Sequence, residues 1–303
     1  GVAVDIRLEF RNDQRGAKVV FGFLEETPDL EEAVRLATSA DVAVVCVGDS
    51  EDTCGENLDR ANLDLPGRQP ELVRRIHATG TPMVLLLQNG RPLSLAWEDE
   101  HVPAIVEAWH VGEQGGLAIA EVLFGDVNPA GRLPLSFPKH VGQLPVHYNR
   151  KPFGATKYVE MDWNPLYPFG YGLSYTRFAY SDLVVSATSI RAGETLSVSF
   201  RVTNTGERAG EEVPQLYLHD TFSSVIKPYK ELAGFKRIFL EPGASCEVSF
   251  EVGAREMRTL NRAGEWVVEP GQFEVMVGPD SARVWLEGVF NVMVPGTVLA
   301  MHP

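Results

Sequence analysis

The run Val42-Ala43-Val44-Val45-Cys46-Val47 constrains this chain more than any other feature. Apolar, mostly β-branched and without polar alternation, it predicts a strand buried on both faces of a sheet. An amphipathic helical stretch precedes it, from Asp29 to Ala37. A second helix is expected from Pro70 to Thr79, with Pro70 in the first turn, where its missing N–H costs nothing. The apolar runs Met83–Leu87 and Ala104–Trp109 and a helix over Glu113–Phe124 continue the alternation. Strands alternating with helices fold into a parallel sheet with helices on its faces. Gly131–Phe137 reads as a last strand, confined to an edge by Pro134.

The flanks follow other rules. Residues 1–25 alternate apolar and polar (Val4, Ile6, Leu8, Phe10, then Val19, Phe21, Phe23) around the turn 12–16, which is period-two strand patterning. Two strands are not a stable unit, so they are expected to pair with strands elsewhere. Residues 138–177 form a long connection rich in Pro, Tyr, Gly and Asn, whose aromatics argue for docking rather than flexibility. From 178 to 291 the pattern is all-β. Leu196, Val198, Phe200 and Val202 alternate with polar residues, and 213–218, 245–252, 272–277 and 282–290 repeat the theme between Gly-rich turns. That spacing predicts a fibronectin III-like β-sandwich. The fold class expected is therefore α/β plus all-β.

Charge and cysteine content limit the partners. Twenty-seven Lys and Arg against 41 Asp and Glu give a net charge of −14, which argues against nucleic acid and anionic membranes. No stretch reaches 18 apolar residues. Three cysteines (Cys46, Cys54 and Cys246) without CxxC spacing exclude a disulfide framework and a Cys-rich zinc site, and Cys46 reads as a buried thiol. No GxGxxG follows a strand, which weakens a nucleotide-binding reading.

The densest polar stretch follows the first buried run: Gly48-Asp49-Ser50-Glu51-Asp52-Thr53-Cys54-Gly55-Glu56-Asn57-Leu58-Asp59-Arg60. Open α/β sheets place ligand crevices at such carboxyl ends. From composition alone, the stretch reads rather as a solvated acidic loop. Five carboxylates also suggest a weak cation site, but EF-hand spacing is absent and no metal is expected.

Gly55-Glu56-Asn57-Leu58-Asp59-Arg60-Ala61-Asn62-Leu63-Asp64-Leu65-Pro66-Gly67-Arg68-Gln69 resembles the acid/base loop of glycoside hydrolase family 3. The resemblance continues through Gln88-Asn89-Gly90-Arg91-Pro92-Leu93, Ala108–Gly116, Val122–Pro134 and Leu166–Tyr175, in order and at the family's spacing. It implies an N-terminal barrel carrying a nucleophilic Asp, then a six-stranded α/β sandwich, then often a fibronectin type III-like domain. This chain is similar to the last two. By the same resemblance, residues 1–25 are strands completing an inserted protective-antigen-like β-domain, 26–137 the α/β sandwich with the acid/base loop, 138–177 a docking linker, 178–291 the fibronectin type III-like domain and 292–303 a tail. Gly1 is then expected to begin the C-terminal part of a longer polypeptide.

What the resemblance implies chemically is a retaining exo-β-glycosidase, foremost a β-glucosidase, needing no cofactor. Retaining enzymes set two carboxyl groups roughly 5–5.5 Å apart, one the nucleophile and one the proton donor and later base. Glu56 matches the donor position, with Glu51 as the alternative; otherwise each is a surface carboxylate. The expected partners are a β-linked glucoside or oligosaccharide and the barrel segment of the same enzyme, with a homodimer possible. The competing readings are a β-xylosidase and a non-catalytic module that binds carbohydrate or a partner.

Other residues carry milder expectations. Asp59 and Arg60 would brace the loop as an ion pair, unless both are simply solvated, and Asp64 would help set the helix entry. Trp109 and His110 read as core or interface residues, Glu113 as a first-turn carboxylate, and Cys54 as a small packing residue. Tyr148, Phe153, Tyr158 and Trp163 are placed against the barrel rather than on sugar.

Overall fold

The structure, a computed structural model, describes residues 30–152 and 158–293. The expected strands within 1–25, Phe153 and the chain beyond 293 lie outside the described residues. Helix α1 (Leu30–Thr38) leads into β1 (Ala43–Gly48), followed by α2 (Gln69–His77), β2 (Met83–Gln88), α3 (Ala96–His101), β3 (Ala104–Glu107) and α4 (Gly115–Phe124). The three strands are parallel in the order β1-β2-β3, with Gly48 opposite Gln88 and Leu87 opposite Glu107. All three polar strand ends therefore fall on one edge of the sheet.

One face of this sheet is packed. Val45, Val47, Leu85 and Leu87 alternate inward onto Val73 and Ile76, which stand one helical turn apart on α2, and onto Ala37, Leu93 and Leu95. Burying each large aliphatic chain contributes about 1.5–3 kcal/mol.

The opposite face of β1 departs from expectation. Val44 is 47% exposed and Cys46 is exposed, so the run is not buried on both sides among the described residues. An all-apolar run cannot reveal which face is covered, and β1 is an edge strand with β2 as its one neighbour.

Two other local expectations change, and one helix was not anticipated. Glu113 lies outside α4, whose first residue is Gly115 and whose N-cap is Gln114. Gly131–Phe137 does not form a continuous strand. Leu133 exchanges backbone hydrogen bonds with Gly170 and Tyr171, and Phe137 with Leu166 and Tyr167, but Pro134 and Pro168 supply no donors between them. Helix α3, only six residues long, carries no periodic signal of its own.

The C-terminal half is a β-sandwich. Strands Phe178–Val185, Leu196–Asn204 and Ser245–Val252 form one antiparallel sheet. The other has the order Ser189–Arg191, Leu286–Met293, Gly271–Gly278, Gln215–Asp220 and Glu231–Phe235. Val198, Phe200, Val248 and Phe250 meet Leu216, Leu218, Phe273, Val275 and Phe290 in the core.

The long connection is docked, as its aromatics imply. Tyr148 stacks on Phe169 at 4.3 Å and meets Tyr217 of the sandwich edge-on at 5.9 Å. Asn128 Oδ1 accepts from Tyr175 N at 2.7 Å and Ser174 Oγ at 3.1 Å. Arg132 donates to Glu212 at 2.9 Å, both side chains nearly excluded from water. A Cβ on Gly172 would lie 2.3 Å from the Gly131 carbonyl oxygen, so only glycine permits this backbone approach.

Candidate active site

The loop 49–60 leaves the carboxyl end of β1 and is built around one buried charge. The Asp49 side chain is fully excluded from solvent. Its Oδ1 accepts from Arg60 Nη1 and Thr53 Oγ1, each at 3.2 Å, and its Oδ2 from Gly90 N at 3.4 Å. Arg91 Nε stands 3.9 Å from the same Oδ2. A carboxylate so placed requires paired cations, because desolvation costs several kcal/mol per ion. The ion pair expected between Asp59 and Arg60 is thereby corrected: Arg60 turns inward to Asp49, the carboxylate that water cannot solvate, and its Nη2 also donates to Asp64 O at 2.5 Å.

Above this base the chain makes a tight turn. Leu58 N donates to Gly55 O at 3.2 Å, closing a four-residue turn with Glu56 and Asn57 at its corners. Asn57 takes φ 62°, the left-handed region that Asn tolerates better than most residues. Glu56 is thereby exposed at the tip of the loop. Glu51 is also exposed, but on the earlier turn that runs from Ser50 to Cys54. The structure thus sets the two candidate acids on different turns.

Behind the tip, Cys54 Sγ lies 3.6 Å from His110 Nε2. Both meet Gly90, where an added Cβ would fall 2.5 Å from the sulfur and 2.6 Å from the imidazole nitrogen. His110 is exposed, which removes the core half of the core-or-interface role expected for it, whereas Trp109 is half-buried edge-on to Phe137 at 5.8 Å. Cys54 keeps its packing role against the loop that follows β2.

Two groups at this edge escaped the sequence reading, Asn89 and the half-buried Glu107. Asn89, fully buried, donates from Nδ2 to Arg91 O at 2.8 Å and to Glu107 Oε2 at 3.1 Å. Glu107 Oε1 accepts from Trp109 N at 2.9 Å, pinning a residue in the left-handed region at φ 54°. Burial, reinforced by the negative charge of Asp49, pushes the Glu107 carboxyl from its ordinary 4.5 to about 7, against the two hydrogen bonds it accepts. The signal was present, since Asp49, Asn89 and Glu107 are polar residues at the ends of the three apolar runs. Among the described residues no cluster of three or more His, Cys, Asp or Glu side chains is arranged to hold a metal ion, and no helix is long and apolar enough to cross a membrane.

The chain is similar to known proteins. The model of the glycosyl hydrolase family 3 C-terminal domain matches residues 5–175, and that of the fibronectin type III-like domain matches 212–281. The chain is 49% identical over 254 residues to a β-xylosidase of Formosa agariphila, covering 82% of this chain and 35% of the relative. It is 44% identical over 275 residues to a periplasmic β-glucosidase of Salmonella typhimurium, covering 87% and 36%. A solved structure of a β-glucosidase from Erythrobacter marinus superposes with a TM-score of 0.84 at 44% identity, covering 87% of this chain and 36% of that one. The chain therefore spans about a third of the length of these relatives.

Proposed function

Because this chain belongs to glycosyl hydrolase family 3, we propose that it supplies the proton donor, Glu56, of a retaining exo-β-glycosidase that releases terminal β-D-glucose. The observation that carries this reading is the turn 55–58, which lifts Glu56 to the exposed tip of a loop fastened to a buried Asp49. A lone exposed carboxylate does not cleave glycosides. Double displacement needs a second carboxylate on the other side of the anomeric carbon and a setting of low polarity for the donor. On this reading both come from an N-terminal barrel domain bearing an Asp nucleophile. Glu56 protonates the glycosidic oxygen as the Asp attacks, and the aglycone leaves as an alcohol. The Glu56 carboxylate then takes a proton from water, which releases the sugar with retained configuration.

A β-xylosidase is the second reading, favoured by the identity to the Formosa agariphila protein of that name. Sugar choice would rest on barrel residues in either case. As an isolated piece the chain would bind a partner or carbohydrate without cleaving it.

The test is Glu56→Ala in the full-length enzyme. The expected result is a fall of about 10²–10⁴-fold in kcat/KM on glycosides with poor leaving groups, with azide accelerating turnover of an activated aryl glucoside and forming β-glucosyl azide. Near-normal hydrolysis of an alkyl glucoside by this variant removes Glu56 from the role, and Glu51→Ala is then the variant to measure.

A further inference from the structure

Arg91 grips the loop in a way that the Asp49 ion pair does not require. Its Nη2 donates to two backbone carbonyls, Thr53 O at 3.1 Å and Leu58 O at 3.0 Å. These carbonyls flank the turn that carries Glu56, one on each arm. The guanidinium thus closes residues 53–58 into a ring, while its Nε faces the buried Asp49 carboxylate at 3.9 Å. Arg91 arrives from another element, the loop after β2, whose course is fixed by the Asn89 Nδ2 bond to Arg91 O. The loop tip is in this way referenced to the sheet.

We infer that Arg91 is a positioning residue that sets the reach of the Glu56 carboxyl toward the glycosidic oxygen. The inference rests on the assignment of Glu56 as proton donor. Among the described residues the other contacts hold one arm or shape the turn: Thr53 Oγ1 donates to Asp49 Oδ1 at 3.2 Å, the internal Leu58-to-Gly55 bond shapes the turn without tying it to the sheet, and the Cys54–His110 contact touches one arm. Without Arg91, both carbonyls turn to water and the Leu58 arm loses this tie to the loop after β2. Proton transfer is steeply sensitive to distance, and displacement of a reacting group by about 1 Å costs on the order of 10²-fold. Arg suits the task because its always-charged fork can satisfy two carbonyls from one nitrogen while another nitrogen faces a carboxylate.

The experiment is a series of aryl and alkyl β-glucosides of graded leaving-group acidity, measured as kcat/KM on the full-length enzyme and on Arg91→Ala, Arg91→Lys and Glu56→Gln. A misplaced donor penalises only substrates that need protonation. Arg91→Ala is therefore expected to lose about 10²-fold on an alkyl glucoside and only a few-fold on the 2,4-dinitrophenyl glucoside. Arg91→Lys, which still donates but lacks the fork, falls between. A loss equal across the series in both Arg91 variants, or no loss, overturns the inference, since lower stability alone removes active molecules without regard to leaving group. If Arg91→Ala does not fold, the slope of Arg91→Lys decides by itself. Glu56→Gln separates the two readings. A steep slope there with flat Arg91 variants removes the clamp and keeps the acid, whereas a flat Glu56→Gln removes the assignment on which the clamp rests.

Discussion

Asn89 donates to Glu107 across 3.1 Å, yet the Oδ1 of the same fully buried amide has no hydrogen-bond partner among the described residues. The pair ties the ends of β2 and β3 together and encloses a carboxyl group in poorly hydrated surroundings. Since Glu107 in the folded protein holds its proton up to about 7 rather than 4.5, the native state binds the extra proton in that window. Stability contributed by this group is thus greatest below about 4.5, declines as pH rises to about 7 and is level above. The full effect is at most about 3 kcal/mol, reduced by the partial exposure of the group. Urea unfolding between these pH values is expected to show the decline. Glu107→Gln is expected to flatten it, and an unchanged slope in that variant would assign the proton elsewhere.

Gly90 offers a second measurement, which concerns space rather than backbone freedom. A methyl group there meets Cys54 Sγ and His110 Nε2 well inside contact distance. Gly90→Ala is expected to cost about 1–3 kcal/mol by overpacking and to displace the arm of the loop that leads to Glu56. Adding Cys54→Ala to Gly90→Ala should return part of the midpoint lost in thermal unfolding; no recovery would place the strain at His110 alone.

The joint between the two halves supplies a third. Arg132 and Glu212 form an ion pair whose side chains are only 9% and 5% exposed. Arg132→Met leaves the buried Glu212 without its cation, the Val213 N–H still bonded to it, and is expected to cost about 3–5 kcal/mol. Arg132→Met combined with Glu212→Leu should cost less than the single change. Hydrogen exchange over 166–175, which lies along this joint, is expected to accelerate in the single variant. Equal stability of the single and double variants would show that the pair carries no such penalty.

Much of this fold is legible in periodicity. Leu196 to Asn204 alternates and is a strand with alternate residues buried; Met83–Leu87 is apolar throughout and is the central strand β2. What periodicity omits is whatever depends on a neighbour. Val44 and Val45 are the same residue type, and the segments packed on one face of the sheet decide that one is buried and the other exposed. The strand Phe178–Val185 gave no clean signal because its register shifts between Ser181 and Val184, beside Asp182 at φ 56°.

The site divides along the same line. Glu56 can be singled out because it lies in a motif, but its frame consists of long-range pairs. Arg60 and Asp49 are 11 residues apart, Arg91 and Thr53 are 38 apart, and the pairing with Asp49 outcompetes the adjacent Asp59 because only Asp49 is denied water.

The grip of Arg91 on Thr53 O and Leu58 O is made to main-chain atoms. Carbonyl oxygens are common to every residue type, so the fastening does not depend on which side chains occupy positions 53–58. Substitution, or a shift of the acidic residue by one place within the turn, leaves the anchor points intact. Such a loop can drift in composition while its height above the sheet stays constant.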